Sequence, residues 1–255
     1  AKLRAARTNK KPKRSGESAR MTGDFAPPSR LVTEKVMRDI HRVVERREFD
    51  SIEEANAFLA TLTGAGLEQA LNQAPPPSPQ EEAQEIAYEA MEAATRARAV
   101  ALAKRALAKD PGCVDALVTL AAGEARTVED AIAGLEKAVA AGERSLGPEY
   151  FEENKGQFWG ILETRPYMRA RHQLADLLLD AGRETEAVRH FEALLALNPN
   201  DNQGVRDTLL GCYLAGDDLK GARRLLHEYK EDDSAVFRWG RTLERVLSGD
   251  FQGAE

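Results

Sequence analysis

The four histidines, His41, His172, His190 and His227, fall in different predicted helices. None pairs with another at the i, i+4 spacing that two ligands on one helix face need to hold a metal. Cys113 and Cys212 stand alone with no CxxC spacing, and read as small buried residues in a reducing compartment. No GxSxG elbow, phosphate loop or GxGxxG turn occurs. No catalytic, cofactor or metal residue is therefore assigned, and the chain reads as a non-enzyme. The more promising constellation is one for binding. Arg169, His172 and Asp176 lie about one helical turn apart, off the apolar face that carries Leu174 and Leu178. Arg206 holds a similar place one unit later, with Arg238, Trp239 and Arg241 beyond it. Guanidinium groups hold carboxylates in a two-point fork, so such a set favours an acidic segment or a chain terminus. The alternative is that these arginines pair with acidic residues of the chain itself.

The elements that must position these residues are helices. In Arg165 to Asn202, Leu174, Ala175, Leu178 and Leu179 share one helical spacing, and Ala187, Phe191, Leu194 and Leu195 share a second. Gly182 between them suits a left-handed turn, and Asn198-Pro199 ends the second helix. Small Ala175 and Ala187 allow close approach of the two helices. Similar hairpins are predicted from Gln80 to Pro111 and from Val114 to Val139. Val205 to Tyr229 forms another, and a fifth starts at Val236, Trp239, Leu243 and Val246. The final Gly249-Asp-Phe-Gln-Gly-Ala254 echoes Gly216 to Ala222.

These hairpins resemble the tetratricopeptide repeat, a helical hairpin of about 34 residues. The match lies in the small residue of the first helix, the glycine turn, the alanine and aromatic of the second helix, and the closing proline. Arg171 stands where that family usually has tryptophan. The strings ETRPYMRAR and LNPNDNQG, with the insert before them, are similar to the suppression-of-tumorigenicity-like repeat family and to bacterial repeat proteins without assigned activity. The resemblance implies an all-α fold, a right-handed superhelix of about five hairpins. It also implies a protein–protein scaffold or adaptor that grips a peptide or partner helix in the groove lined by first helices.

Four segments are expected. Residues 1–30 form a basic disordered tail, 31–74 a small helical unit, 75–79 a proline-rich linker and 80–255 the repeats. The unit at 31–74 takes a helix with Val32, Val36, Ile40, Val43 and Val44 on one face. A second helix, opened by a Ser51–Glu54 capping box, turns Ala55, Phe58, Leu59 and Leu62 inward. Residues 142–164 interrupt the repeats with an aromatic-rich insert. Its Phe158 and Trp159, with Tyr167 beyond, either plug a gap between hairpins or wall a surface for a partner. A weaker reading places an enzyme pocket near Trp159.

The net charge of −6 divides into +7 on residues 1–22 and −13 on the rest. The tail gives a second reading, salt-sensitive nucleic-acid association through residues 1–20. Met21 is an alternative start. No apolar run reaches the length of a membrane span, and no apolar stretch follows the basic N-terminus, so a cytoplasmic protein is expected.

Overall fold

In the computed structural model, residues 30–45 and 47–253 are described, and the expectations for the basic tail lie outside them. Among the described residues there are thirteen α-helices and no strand. The first three are α1 (Arg30–Val44), α2 (Ile52–Thr61) and α3 (Ala65–Gln73). After the extended prolines come two hairpins. They pair α4 (Pro79–Met91) with α5 (Arg96–Lys109), and α6 (Val114–Glu124) with α7 (Val128–Leu146). The insert holds α8 (Pro148–Glu153) and two short 3-10 turns, Phe158–Gly160 and Leu162–Thr164. Two further hairpins pair α9 (Arg165–Asp180) with α10 (Glu184–Leu197), and α11 (Val205–Ala215) with α12 (Leu219–Glu228). Helix α13 (Ala235–Leu247) follows, so the array has four complete hairpins and one single helix. This is an all-α, TPR-like helical repeat fold.

Local chemistry explains the boundaries. Ser78 opens α4 with a complete capping box, its hydroxyl accepting from the Glu81 amide while the Glu81 carboxylate accepts from the Ser78 amide. Thr127 and Asp130 do the same for α7, which is how that turn forms without a glycine. Gly182 adopts φ +75°, the left-handed geometry that reverses the chain between α9 and α10. The closing Asn198-Pro199 loop leads to Asp201, whose carboxylate accepts from the Val205 amide at 2.8 Å and the Arg206 amide at 3.1 Å. That carboxylate thereby satisfies two amides that α11 leaves free.

The core follows the small-residue pattern. Ala83, Ala87, Ala103, Ala106, Ala175, Ala187 and Ala222 are fully buried between helices, with Phe191, Leu174 and Leu178 beside the central ones. First helices touch one another along one side of the stack, α4 on α6, α6 on α9 and α11 on α13. The second helices α5, α7, α10 and α12 make no comparable contact with each other. The side on which first helices meet is called the inner face, since first helices line the concave side in arrays of stacked hairpins.

Three expectations need correction. The insert begins later than residue 142, because α7 runs on through Gly142 to Leu146. Gly142 lies flat against Tyr167, where a Cβ would sit 2.9 Å from the ring. Helix α13 also turns the other way. Phe237, Gly240 and Glu244 are buried, while Val236, Trp239, Leu243 and Val246 are exposed, since only one side of α13 has neighbours, α11 and α12. Finally, the helical unit at 31–74 has little core of its own. Helices α2 and α3 contain no fully buried residue, Leu59 is exposed, and Leu62 is buried just past the end of α2. At Ser51 the hydroxyl accepts from Glu54, but the Glu54 carboxylate returns to the Asp50 amide instead, so the capping box is half formed.

Candidate functional site

Glu34 on α1 is only 4% exposed, although it is a carboxylate on the first described helix. Its partners come from the repeats. Tyr88 on α4 donates its hydroxyl to Oε1 at 2.6 Å. Arg169 on α9 donates Nη1 to both carboxylate oxygens at 3.0 Å, and Arg165 reaches Oε2 at 3.4 Å. The same Arg169 forks onto Asp115 of α6, from Nε at 3.1 Å and Nη2 at 2.6 Å. Gln84 of α4 donates to Asp115 at 2.6 Å. Three successive first helices, α4, α6 and α9, therefore meet α1 through one buried polar network on the inner face.

Electrostatics keep Arg169 charged. Burial opposes the Arg169 charge, but Asp115, by charge and hydrogen bonds, and then Glu34 outweigh it and raise its pKa further. The Tyr88 hydroxyl is pushed well above its usual range by burial and by its hydrogen bond to Glu34, so it stays a donor. A buried carboxylate with three donors is satisfied in a way that a lone one is not.

The residues singled out from sequence do not assemble into a single arginine-lined groove. Arg169 is engaged with Glu34 and Asp115. Arg206 pairs with Asp232 at 2.7 Å and lies over the rings of Tyr229 and Phe237. Arg241 donates to the carbonyls of Tyr229, Lys230 and Asp232, tying down the end of α12. These three arginines pair with the chain's own acceptors. Arg238 remains exposed with Asp233 at 3.8 Å, and Trp239 is 73% exposed beside it. His172 and Asp176 pair at 3.6 Å on the inner side of α9, and Gln203 lies 3.4 Å from the His172 ring. Burial raises the Asp176 pKa, with His172 opposing and Asp180 adding to the rise.

The aromatic insert is mostly core. Phe158 and Tyr167 are buried, and Phe151 joins them with ring centroids 4.9 and 5.1 Å away. Trp159 is half-buried, with the Arg165 guanidinium over its ring at 5.4 Å. Arg171, at the position where tryptophan is usual, bonds the Tyr167 hydroxyl and lies over that ring. Trp159 borders a hollow of about 460 Å³ with Gln157, Arg165, Asn198 and Asn202, and neither Tyr167 nor His172 lines it. Among the described residues, no group of three or more His, Cys, Asp or Glu side chains could hold a metal ion, and no helix is long and apolar enough to cross a membrane.

Sequence reasoning missed Glu34, Tyr88, Gln84 and Asp115. Each is a polar residue on a helix whose pattern reads as a solvated face, and Glu34 and Arg169 are 135 positions apart. The one local hint is a tyrosine hydroxyl in an alanine-rich helix, which needs a partner when buried. An open hollow of about 350 Å³ adjoins the network, lined by Met91, Asp115, Val118, Thr119, Ala122 and Gln173 among others.

Residues 168–240, from within α9 to the middle of α13, match a tetratricopeptide repeat family model. No curated protein and no solved structure gives a significant match to the chain.

Proposed function

We propose that the chain is a protein–protein interaction scaffold that receives a peptide or partner helix on the inner face of its repeats. Tetratricopeptide repeats generally mediate protein–protein interaction, and residues 168–240 carry that pattern. The observation that carries the reading is α1 itself. The Glu34 carboxylate of α1 is already held where α4, α6 and α9 meet, by side chains that recognise it and each other. A face built to hold one helix offers the geometry for helix or peptide recognition. Beyond α1 the same face stays open at Gln173 and Asp176 of α9, next to the hollow beside Asp115.

The test is capture from a nuclease-treated lysate of the host at about 0.15 M salt. The full chain is compared with a Gln173→Arg/Asp176→Arg inner-face variant and a Lys104→Glu/Glu124→Lys outer-face variant. Lys104 and Glu124 form an exposed pair at 2.7 Å away from the network. A protein partner lost only with the inner-face variant is the expected result. A partner lost only with the outer-face variant would place binding elsewhere.

A further inference from the structure

We propose that α1 is a displaceable internal ligand. In this reading, the functional partner binds the inner face by replacing α1, with a helix that carries a carboxylate at the Glu34 position and a basic residue next to it. The inference rests on the scaffold reading above and names the recognition chemistry of that same face.

The attachment of α1 is electrostatic far more than apolar. Glu34 is buried, yet Val36 and Met37 on the same helix remain more than two-fifths exposed, and Val43 is the one apolar side chain of α1 buried to the level of the core. The backbone of α1 comes close to α3 and to the Leu162–Thr164 turn, with no comparable approach to any repeat helix. It reaches the array through charges instead. Lys35 contacts Glu85 at 3.7 Å and Glu92 at 3.2 Å, and His41 contacts Glu163 at 3.5 Å. Exposed pairs of this kind contribute little. Beneath α1 a cleft of about 780 Å³ separates Arg38 and Arg42 from Glu82, Glu85 and Arg105. The Arg42 Nε is buried there without a partner, a cost that the docked state carries. Helices α2 and α3 bury no residue fully, so they anchor nothing to the array.

The vacated site would be strongly selective. With Glu34 gone, Arg169 keeps Asp115 as its one carboxylate, and Arg165 keeps only the Trp159 carbonyl, so two guanidinium groups lose the acceptor they shared. Buried charge left unpaired is costly, so any occupant must return a carboxylate to that point. The acidic edge of Glu85 and Glu92 favours a basic neighbour on the same helix, as Lys35 supplies now. The proline run at 75–77 tethers the released unit.

Hydrogen exchange on the wild-type full chain and one peptide decide the matter without knowledge of any partner. A labelled peptide of residues 30–45 is titrated into the wild-type chain and into the full chain with Glu34→Gln. The amides of α1 are expected to exchange by a local opening that leaves α9 to α12 protected. The peptide is expected to bind the Glu34→Gln chain at least about tenfold more tightly than the wild type, because its site is more often empty there. A peptide carrying the same Glu→Gln change should bind neither chain. Exchange of α1 only with global unfolding would overturn the proposal, as would equal peptide affinity for the two chains. If Glu34→Gln fails to fold, the wild-type exchange result decides alone. The scaffold reading could still hold after either negative result, since it is tested by inner-face capture.

Discussion

At Arg169 one guanidinium meets two carboxylates, Asp115 and Glu34, from helices far apart in the chain. Removing it leaves Asp115 buried with no cation and Glu34 with only Arg165 at 3.4 Å. Arg169→Ala is therefore expected to cost about 3–5 kcal/mol in urea unfolding, the range for breaking a buried pair by taking one partner. Arg238→Ala, on an exposed side chain, is expected to stay within about 0.5 kcal/mol. Equal effects would mean that the network does not support the fold. His190 gives a second test at this scale. Burial, with Arg171 adding to it and Glu186 opposing, lowers its pKa to about 4. Its unfolded value is near 6.5, so between these limits the unfolded chain binds a proton that the folded chain refuses. Stability from this group is complete above about pH 6.5 and is lost as pH falls towards 4. His190→Gln should flatten the pH dependence of the urea midpoint in that window, and identical slopes would show that partial burial does not disfavour the charged ring.

At the scale of the element, the hairpin of α9 and α10 was the part most legible in sequence. Its apolar spacing, the Gly182 turn and the Asn198-Pro199 stop are local signals, and Ala175, Ala187 and Phe191 are fully buried as that register requires. Ala187→Leu should overpack the contact and lower stability by about 1–3 kcal/mol, and a variant that unfolds like the wild type would refute the register. Other elements were less legible for physical reasons. Helix α7 continues past the expected start of the insert because Gly142 gains close packing on Tyr167, a tertiary contact that outweighs weak helix propensity. Helix α13 has strong helical periodicity, but its sequence could not say which apolar side faces α12, and the buried side is the one with Phe237 and Gly240. In α1 the apolar stripe suggested a core helix, whereas the structure seats it by Glu34 and leaves Val36 exposed.

For the whole molecule, short-range pattern specified the stack of hairpins, while the use made of its inner face depended on pairings up to 135 positions apart. The groove arginines were visible as residues, but their partners were not. Arg206 meets Asp232 and Arg169 meets Glu34 only after the array has formed. Under the proposed function, protein recognition takes place on the inner face of the repeats. The most direct measurement introduces a photo-crosslinking amino acid at position 173 on the inner face of α9, or at position 104 on the outer side of α5, in the full chain. Irradiation during capture from host lysate should give a protein adduct at position 173 and none at position 104. An adduct at position 104 with none at position 173 would place recognition on the outer side of the repeats instead.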